Sequence, residues 1–316
     1  VNAQDLFTEK IVDPFVDGYA SGETPSPCIQ CNAFIKFGFL MDRARQLNCD
    51  YVATGHYAEV EQDESGLYHL YCAKDPEKDQ SYFLCQLSQA QLAKTLFPIG
   101  GLQKSEVRKI AAEQGLITAE KRDSQGLCFI GKVSLPDFLQ QKLAIKKGAI
   151  IQIPDTHPMY AQAREETPEG LAKKYTYTQT EGKAVGTHNG AHFFTVGQRK
   201  GLAVGGTVEP LFVLATDVSE NIIYVGEGKN HPGLYRRALW IAQEDVHWIR
   251  PDLATKNNPM PVLARIRYRQ PLAKATLHPA EKGIFLVFDV PQSAIAAGQF
   301  AAWYLDNECI GSGVIG

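Results

Sequence analysis

The pattern of apolar residues changes near the middle of the chain, and this change constrains the fold more than any other feature. From residue 5 to about residue 150, helical periodicity alternates with short apolar strands, as in an α/β layer. From Gly186 onward, short alternating strands are separated by glycine and proline, which is typical of small β-rich domains. The sequence therefore predicts an α/β part followed by a β-rich part.

Four helices and one buried strand are predicted in the first part, and the chain opens with the end of a strand followed by the first of these helices, from Asp5 through Tyr19. Apolar residues at helical spacing follow Cys31 and predict a helix that ends near Asn48. Residues 51–54 then have the composition of a buried strand. A helix followed by a strand in this way is half of a βαβ unit. Residues 88–93 and 104–114 predict two further helices.

The second part is predicted to be strand-rich after a polar segment. Residues 155–184 are rich in Thr, Glu, Lys and Gln without a clean period, and they predict a surface excursion or insertion. Strands are predicted at residues 211–214, 222–225, 284–288 and 300–304, with a break near 250–260. We place three domains at residues 1–145, 146–250 and 251–316.

Composition restricts the class of protein. The 316 residues are 44% hydrophobic and 21% charged, which is ordinary for a globular protein of two or three domains. No apolar run reaches the roughly 18 residues that a membrane helix needs, and Val1–Asp5 has no signal-peptide character. We predict a cytoplasmic protein without a membrane partner. The net charge of −3 argues against indiscriminate nucleic-acid binding but permits a local basic face.

The seven cysteines are odd in number and sparse, so reduced thiols are expected rather than a disulfide framework. Four of them lie among apolar neighbours and are predicted to be small core residues: Cys49, Cys72, Cys85 and Cys309.

Cys28 and Cys31 form a C-x-x-C pair in which Cys31 directly precedes the predicted helix. Backbone N–H groups and the helix dipole would stabilise a thiolate at that end. The spacing also suits half of a zinc site, a thioredoxin-like pair or simple packing. A second C-x-x-C is missing from the sequence, and a turn-rich stretch precedes this one, which disfavours the first two alternatives.

Cys128 is the second candidate for thiol chemistry. Lys121 and Arg122 precede it in a glycine-rich stretch, and nearby cations lower the pKa of a thiol. Considered in isolation, a lone cysteine between Leu127 and Phe129 is more often a buried core residue.

Gly55 and His56 follow the predicted strand and are expected at its carboxyl end, where open α/β sheets bind ligands. A glycine there lets a nucleotide approach the backbone, and a histidine can donate to phosphate. The alternative is a tight structural turn in which the histidine side chain is hydrogen-bonded within the protein and binds no ligand.

Two clusters mix cations, aromatic rings and amides, a combination suited to RNA: residues 78–82 and 265–270. If residues 264–269 form one strand, alternation places Arg265, Arg267 and Arg269 on one side and predicts a basic stripe. A solvated strand face would have a similar composition.

These segments, in this order, resemble the MnmA-type tRNA 2-thiouridylases over residues 1–316. The resemblance rests on seven ordered motifs: G-x-T-P-x-P with C-N and I-K-F (22–37), A-T-G-H-Y (53–57), K-D-Q-S-Y-F-L (78–84), D-S-x-G-x-C-F-I-G (123–131), T-V-G-Q-R-K-G-L (195–202), R-Y-R-Q (267–270) and G-Q (298–299).

The resemblance implies both a fold and a reaction. The fold would be an ATP-pyrophosphatase α/β domain of the adenine-nucleotide α-hydrolase-like type, then a small central β-rich domain and a C-terminal β-barrel. ATP, with Mg²⁺, would adenylate an anticodon wobble uridine, and a cysteine persulfide would then attack to give 2-thiouridine. The implied partners are tRNA and a sulfur-relay protein that donates the persulfide.

The resemblance also assigns residues. Cys128 would carry the persulfide, while Cys31 would release the sulfur or close a disulfide with Cys128. Gly55 would contact ATP. The target base would meet Ser26, Pro27 and Cys28. The tRNA would meet His56, Lys78, Asp79, Gln80, Arg267, Tyr268 and Gln299.

The sequence departs from the family pattern in two places. Many members have an acid at the position of Cys28, so Cys28, Cys31 and Cys128 could converge as ligands of an iron–sulfur cluster. The family's phosphate loop, Ser-Gly-Gly-x-Asp-Ser, is not found in the sequence. The chain is therefore predicted to be a fragment or a natural short form that cannot activate uridine alone.

Two other functions stay open. One is a non-catalytic tRNA-binding protein that keeps the recognition surface. The other is an ATP-pyrophosphatase ligase or amidotransferase acting on a small molecule, against which the paired cysteines and the β-rich half argue.

Overall fold

The computed structural model describes residues 2–120, 135–254 and 258–316. Two long helical segments open the chain, and each contains a stretch of wider, π-type turns. The first comprises Gln4–Phe7, Thr8–Val12 and Asp13–Ala20. The second comprises Pro27–Gln30, Cys31–Phe39 and Leu40–Gln46. The predicted helix thus begins five residues earlier than expected, because the fixed φ of Pro27 suits the first helical position.

The strands lie in three sheets. They are β1 (Val52–Ala53), β2 (Ala58–Gln62), β3 (Tyr68–Cys72), β4 (Thr95–Leu96), β5 (Gly148–Gln152), β6 (Lys183–His188), β7 (Leu211–Asp217), β8 (Ile222–Glu227), β9 (Tyr235–Ala242), β10 (Val246–Trp248), β11 (Met260–Arg265), β12 (Ala273–Ala280), β13 (Gly283–Ser293), β14 (Phe300–Leu305) and β15 (Glu308–Val314). The four strands predicted after residue 210 are confirmed as β7, β8, β13 and β14.

Shorter helices connect these strands. The α-helices are Gln89–Leu92, Lys104–Glu113, Leu135–Lys142, Pro158–Ala161 and Pro168–Ala172. The 3₁₀ turns are Ser81–Leu84, Gln179–Glu181, Ala191–Phe193, Pro232–Leu234, Gln243–Asp245 and Pro251–Leu253. The first two α-helices confirm the helices predicted at 88–93 and 104–114, and a capping box at Ser88 explains where the former begins.

The smallest sheet pairs β1 and β4 in parallel. Tyr51 beside it is 53% exposed, and Ala53 is also exposed. The prediction of a buried strand at residues 51–54 was therefore wrong. Since only two strands pair in this sheet among the described residues, little surface is available to cover its side chains.

The middle sheet has the order β6-β5-β8-β7, with β5 and β8 parallel. Its core packs Ile150, Val213 and Ile223 against Phe15 of the first helical segment. The first part of the chain is thus fixed directly to the middle sheet.

The largest sheet is antiparallel and has the order β2-β3-β15-β14-β11-β12-β13-β9, with β10 also paired to β15. Its inner layer includes Leu239, Leu277, Phe288 and Trp303. The β2–β3 hairpin comes from the first part of the chain but joins this sheet through Leu70 opposite Cys309. The hairpin therefore connects the α/β part to the C-terminal strands.

Residues 155–184 are mostly exposed, as expected of a surface excursion, but they are anchored to the rest of the fold, and their being an insertion stays a prediction. The helix Pro168–Ala172 packs against β9 and β13, and Leu171 is buried. Arg236 donates to the carbonyls of Ala172 and Ile295, which ties this segment to the largest sheet.

The cysteines divide into two groups. Cys85 and Cys309 are buried, and Cys72 is half-buried, broadly as predicted, whereas Cys49 is exposed and the prediction for it was wrong. Burial raises the pKa of Cys72 to about 11 and that of Cys85 to about 12, so these thiols stay protonated at neutral pH.

Within residues 2–120, 135–254 and 258–316, none of the helices combines the length and the apolar character that crossing a bilayer requires.

Candidate functional site

The helix that carries the C-x-x-C pair begins inside the candidate site. Ser26 is its N-cap and Pro27 its first residue, so Cys28 lies in the first turn. The N–H of Cys31 already donates to the carbonyls of Pro27 and Cys28. Stabilisation by the helix N-terminus therefore favours Cys28, and the prediction that it acts on Cys31 was wrong.

Cys31 lies one turn further along and is only 8% exposed. It packs with Ile11 and Ile35, against Leu6 and Phe7 of the first helical segment. Its sulfur is therefore held in a mostly apolar setting next to the more accessible Cys28.

The wide helical turns beyond Cys31 are held by side chains from another segment. The amide of Gln91 donates to the carbonyls of Ala33 (3.0 Å) and Phe37 (2.9 Å), while Asn32 donates to the carbonyl of Phe83 (2.8 Å). Since π-type turns misalign backbone hydrogen bonds, such donors keep the carbonyls satisfied. Gln91 and Asn32 thus support the backbone that carries Cys31.

Replacing Gln91 by methionine should lower the free energy of unfolding by about 1–3 kcal/mol, because two carbonyls lose their donor and the N–H of Ser88 loses its capping acceptor, while the side-chain length is kept. Chemical denaturation measures this change. The Gln114→Met variant, at an exposed helix end, is the matched control and should unfold like the wild type. Equal stability of both variants would show that the Gln91 amide does not support the helix.

The turn before the helix meets both β-rich parts of the chain. The hydroxyl of Thr24 donates to that of Thr195 (3.0 Å), and its N–H donates to the carbonyl of Ala297 (2.8 Å). Gly298 has a φ of +83°, and a Cβ there would lie 2.9 Å from the Cβ of Glu23. Gln299 follows directly, so the structure brings it beside the segment that leads to Ser26.

Gly55 and His56 leave the end of β1 in different environments. Gly55 is exposed, and a Cβ there would meet no heavy atom within 4 Å, so the space above it is open to a ligand. His56 is buried between the rings of Phe37 and Phe97, and its Nδ1 lies 2.8 Å from the hydroxyl of Thr54. Burial, with the nearby charge of Lys36, lowers the pKa of His56 to about 4.

This lowered pKa predicts acid sensitivity. The unfolded chain, with an ordinary histidine pKa near 6.5, takes up the proton first as pH falls. The contribution of His56 to stability is therefore complete above pH 6.5 and is lost as the pH falls to about 4. The loss should be on the order of 3 kcal/mol.

Urea denaturation between pH 7 and 4.5 measures this effect. The His56→Asn variant, which keeps an acceptor toward Thr54, should lose less stability over that range than the wild type. If the free energy of unfolding depends on pH in the same way in both proteins, the acid sensitivity does not come from His56.

Lys78, Asp79 and Gln80 form the turn that faces this loop. Gln80 exchanges two hydrogen bonds with the backbone of Tyr57, at 2.8 and 2.9 Å. Asp79 is buried, accepts from the N–H groups of Ala73 and Ser81, and pairs with Arg265 at 3.0 Å. Asp79 thus organises the turn from within, while Lys78 is half-buried.

The predicted stripe of three arginines does not form. β11 ends at Arg265, which points inward to Asp79, and the chain then turns through Arg269 with a φ of +63°. Arg267 donates to the carbonyl and the hydroxyl of Ser293 instead. Strand alternation stops where the strand stops, so the three side chains take separate directions.

Tyr268 is brought toward the cysteine helix. Its ring packs on that of Phe83 with centroids 4.4 Å apart, and the carbonyl of Phe83 accepts from Asn32, next to Cys31. The R-Y motif and the C-x-x-C helix are thereby connected through two side chains.

The ligand set proposed for an iron–sulfur cluster is only partly described. Cys28 and Cys31 share one helix three residues apart, whereas Cys128 lies outside the described residues. In the described part of the chain, no group of three or more His, Cys, Asp and Glu side chains is arranged to hold a metal ion. The motif at residues 123–131 also lies wholly outside the described residues, within the range 121–134.

Several supporting residues were not predicted. Asn32, Gln91 and Thr195 each bond to a segment distant in sequence. Asn32 and Thr195 lie within motifs already singled out, but no local pattern reveals the distant partner of an amide or a hydroxyl. The pairing of Asp79 with Arg265 could have been suspected, because both belong to motifs already singled out.

Three protein-family models match the chain. The tRNA methyl transferase HUP domain matches residues 1–132, the tRNA methyl transferase PRC-barrel domain residues 171–227, and the aminomethyltransferase beta-barrel domain residues 240–315. Their order confirms the predicted fold class: an α/β domain with the adenine-nucleotide α-hydrolase-like fold, a central β-rich domain and a C-terminal β-barrel.

Curated relatives match over the whole chain. A protein of Christiangramia forsetii named tRNA-specific 2-thiouridylase MnmA is 57% identical over all of this chain and 82% of its own length. Proteins of the same name from Karelsulcia muelleri and Shouchella clausii are 45% and 42% identical, over 80% and 78% of their lengths and 96% and 100% of this chain.

Proposed function

Because the chain belongs to the family of tRNA-specific 2-thiouridylases, we propose that it is a tRNA-uridine 2-sulfurtransferase that converts an anticodon wobble uridine to 2-thiouridine. The observation that carries this proposal is the position of the turn before Ser26. It contacts Thr195 and Ala297, so segments that adjoin the middle sheet and the largest sheet meet where the C-x-x-C helix begins. A base held by Ser26, Pro27 and Cys28 would therefore lie next to Cys31.

The first step we propose is adenylation. O2 of the uridine attacks the α-phosphorus of ATP, the bond between that phosphorus and the bridging oxygen breaks, and pyrophosphate leaves. When bound, Mg²⁺ would offset the negative charge of the phosphates. The open space over Gly55, at the carboxyl end of β1, suits the approach of the nucleotide to the backbone. Lys78, Gln80, Arg267, Tyr268 and Gln299 would contact the tRNA. His56 and Asp79, which are buried, would act by shaping the adjoining turns.

The second step is sulfur transfer. The terminal sulfur of a persulfide on Cys128 attacks C2, and AMP leaves with the former O2. The Cys31 thiolate then attacks the Cys128 sulfur. The bond between the Cys128 sulfur and the transferred sulfur breaks, so that the transferred sulfur stays on C2 as 2-thiouridine and a Cys31–Cys128 disulfide forms. A dithiol reductant resets the pair, and a sulfur-relay protein supplies the next persulfide.

The test is 2-thiouridine formation on unmodified tRNA with ATP and a persulfide donor. It compares residues 1–316 with a chain extended at the N-terminus to the length of the relatives. Product that requires both ATP and the donor is expected. Stable tRNA binding without product from either chain would instead favour the non-catalytic tRNA-binding protein.

An iron–sulfur cluster on Cys28, Cys31 and Cys128 is a separate proposal, supported by the soft sulfur donors of Cys28 and Cys31 on one helix. Iron and sulfide analysis after anaerobic purification decides it, since a reconstituted chain without iron would contradict it. The cytoplasmic location and the domain limits 1–145, 146–250 and 251–316 also stay predictions.

A further inference from the structure

A cavity of about 740 Å³ lies beside the candidate site, between three turns of the chain. The turn at residues 73–79, the turn at residues 265–272 and the tip of the β14–β15 hairpin enclose it. Its volume is in the usual range for small-molecule sites, roughly 300–1,000 Å³. We call it the three-turn cavity.

The charges around the three-turn cavity are balanced. Its cationic side chains are Lys78, Arg265 and Arg269, and its acidic side chains are Glu77, Asp79 and Asp306. Arg265 and Asp79 also neutralise each other directly, at 3.0 Å. Such a lining would attract a phosphate group only weakly, because its positive and negative charges cancel. An uncharged polar ligand would instead find both hydrogen-bond donors and hydrogen-bond acceptors in it.

The cavity also offers flat and apolar surfaces. Arg265 lines it while its guanidinium lies 4.9 Å from the ring centroid of Tyr304, so a planar cation is held rigidly at the wall. Pro76, Pro271 and Leu272 provide apolar walls. Planar guanidinium groups and apolar walls are the surfaces on which splayed nucleobases stack.

We infer that the three-turn cavity receives the base of a second unpaired tRNA nucleotide, one other than the uridine to be modified. This inference rests on the proposed function. Lys78 and Arg269 belong to the K-D-Q and R-Y-R-Q motifs, so a tRNA held by those motifs passes the mouth of the cavity. Capture of a neighbouring base would fix the anticodon loop while the target uridine is held at Ser26–Cys28.

The test uses anticodon stem-loops with 2-aminopurine at each unpaired position except the target, bound to residues 1–316. Because 2-aminopurine fluorescence changes on stacking, wild-type protein should alter the signal at one position. The Asn307→Trp variant fills the cavity from its exposed rim and keeps the backbone carbonyl that Cys72 uses. It should abolish that signal and weaken binding about tenfold, as expected for one lost stacking contact.

Two further variants test whether the effect comes from the cavity rather than from an added tryptophan, and from the planar group of Arg265 rather than from its charge. Val208→Trp adds the same ring at a position that is 98% exposed and outside the cavity lining, and it should bind like the wild type. Arg265→Lys keeps a cation for Asp79 but removes the planar group, and it should also reduce the signal.

Wild-type binding with no signal at any position, or an unchanged signal in Asn307→Trp, would overturn the inference and leave the proposed function intact. Weaker binding of Asn307→Trp with a shallower salt dependence and no fluorescence change would assign the cavity to a phosphate, and it would also overturn the inference. Absence of stem-loop binding by the wild-type chain would overturn the proposed function as well.

Discussion

Replacing Cys31 by serine should reduce 2-thiouridine formation on the order of a thousandfold or more, because the alcohol cannot act as the thiolate that resolves the persulfide. The affinity for tRNA should change less than about twofold, since recognition relies on other residues. The measurement is the rate of 2-thiouridine formation, in whichever form of the chain is active, beside a binding titration with unmodified tRNA.

The control for this variant is Cys49→Ser. Cys49 is exposed three residues beyond the far end of the same helical segment, and its loss should leave the rate unchanged. Because Cys31 is buried against Ile11 and Ile35, thermal unfolding of Cys31→Ser must be compared with the wild type. A folded Cys31→Ser variant with the wild-type rate would remove Cys31 from the mechanism.

Replacing Asp79 by alanine should lower the free energy of unfolding by about 3–5 kcal/mol, because it leaves the charge of Arg265 buried without its carboxylate. The side chains of the pair are 3% and 8% exposed. The N–H groups of Ala73 and Ser81 lose their acceptor at the same time. Chemical denaturation measures the change.

Two comparisons interpret this result. Removing both charges in the Asp79→Ala, Arg265→Met double variant should restore part of the stability, since no unpaired charge remains. The exposed pair Arg45–Asp42 is the matched control, and Asp42→Ala should cost less than about 1 kcal/mol. A double variant as unstable as Asp79→Ala would show that the backbone acceptor of Asp79, rather than the ion pair, is decisive.

The Asp79 result also bears on how the K-D-Q motif serves tRNA binding. If Asp79 holds the turn from within, the Asp79→Asn variant, which keeps an acceptor for the Ala73 and Ser81 N–H groups, should bind tRNA better than Asp79→Ala. An equal loss of tRNA affinity in both variants would instead indicate a direct contact between the Asp79 carboxylate and the RNA.

The sequence by itself determined the local elements and the type of fold. Short apolar runs located β7, β8, β13 and β14, and the cap at Ser88 located a helix, because these signals arise from neighbouring residues. Ordered motifs were also sufficient to indicate the family, which the relatives then showed.

Tertiary structure alone decided the contacts between distant segments. It placed the β2–β3 hairpin in the C-terminal sheet, paired Asp79 with Arg265, and brought Gln91 to the helix of Cys31. Each contact depends on which surfaces meet after folding. Neither secondary-structure propensity nor the periodicity of apolar residues predicts which surfaces those are. For the same reason, the arginine stripe was wrong: the end of β11 is set by its pairing with β12 and β14, and no pattern within residues 264–269 reveals it.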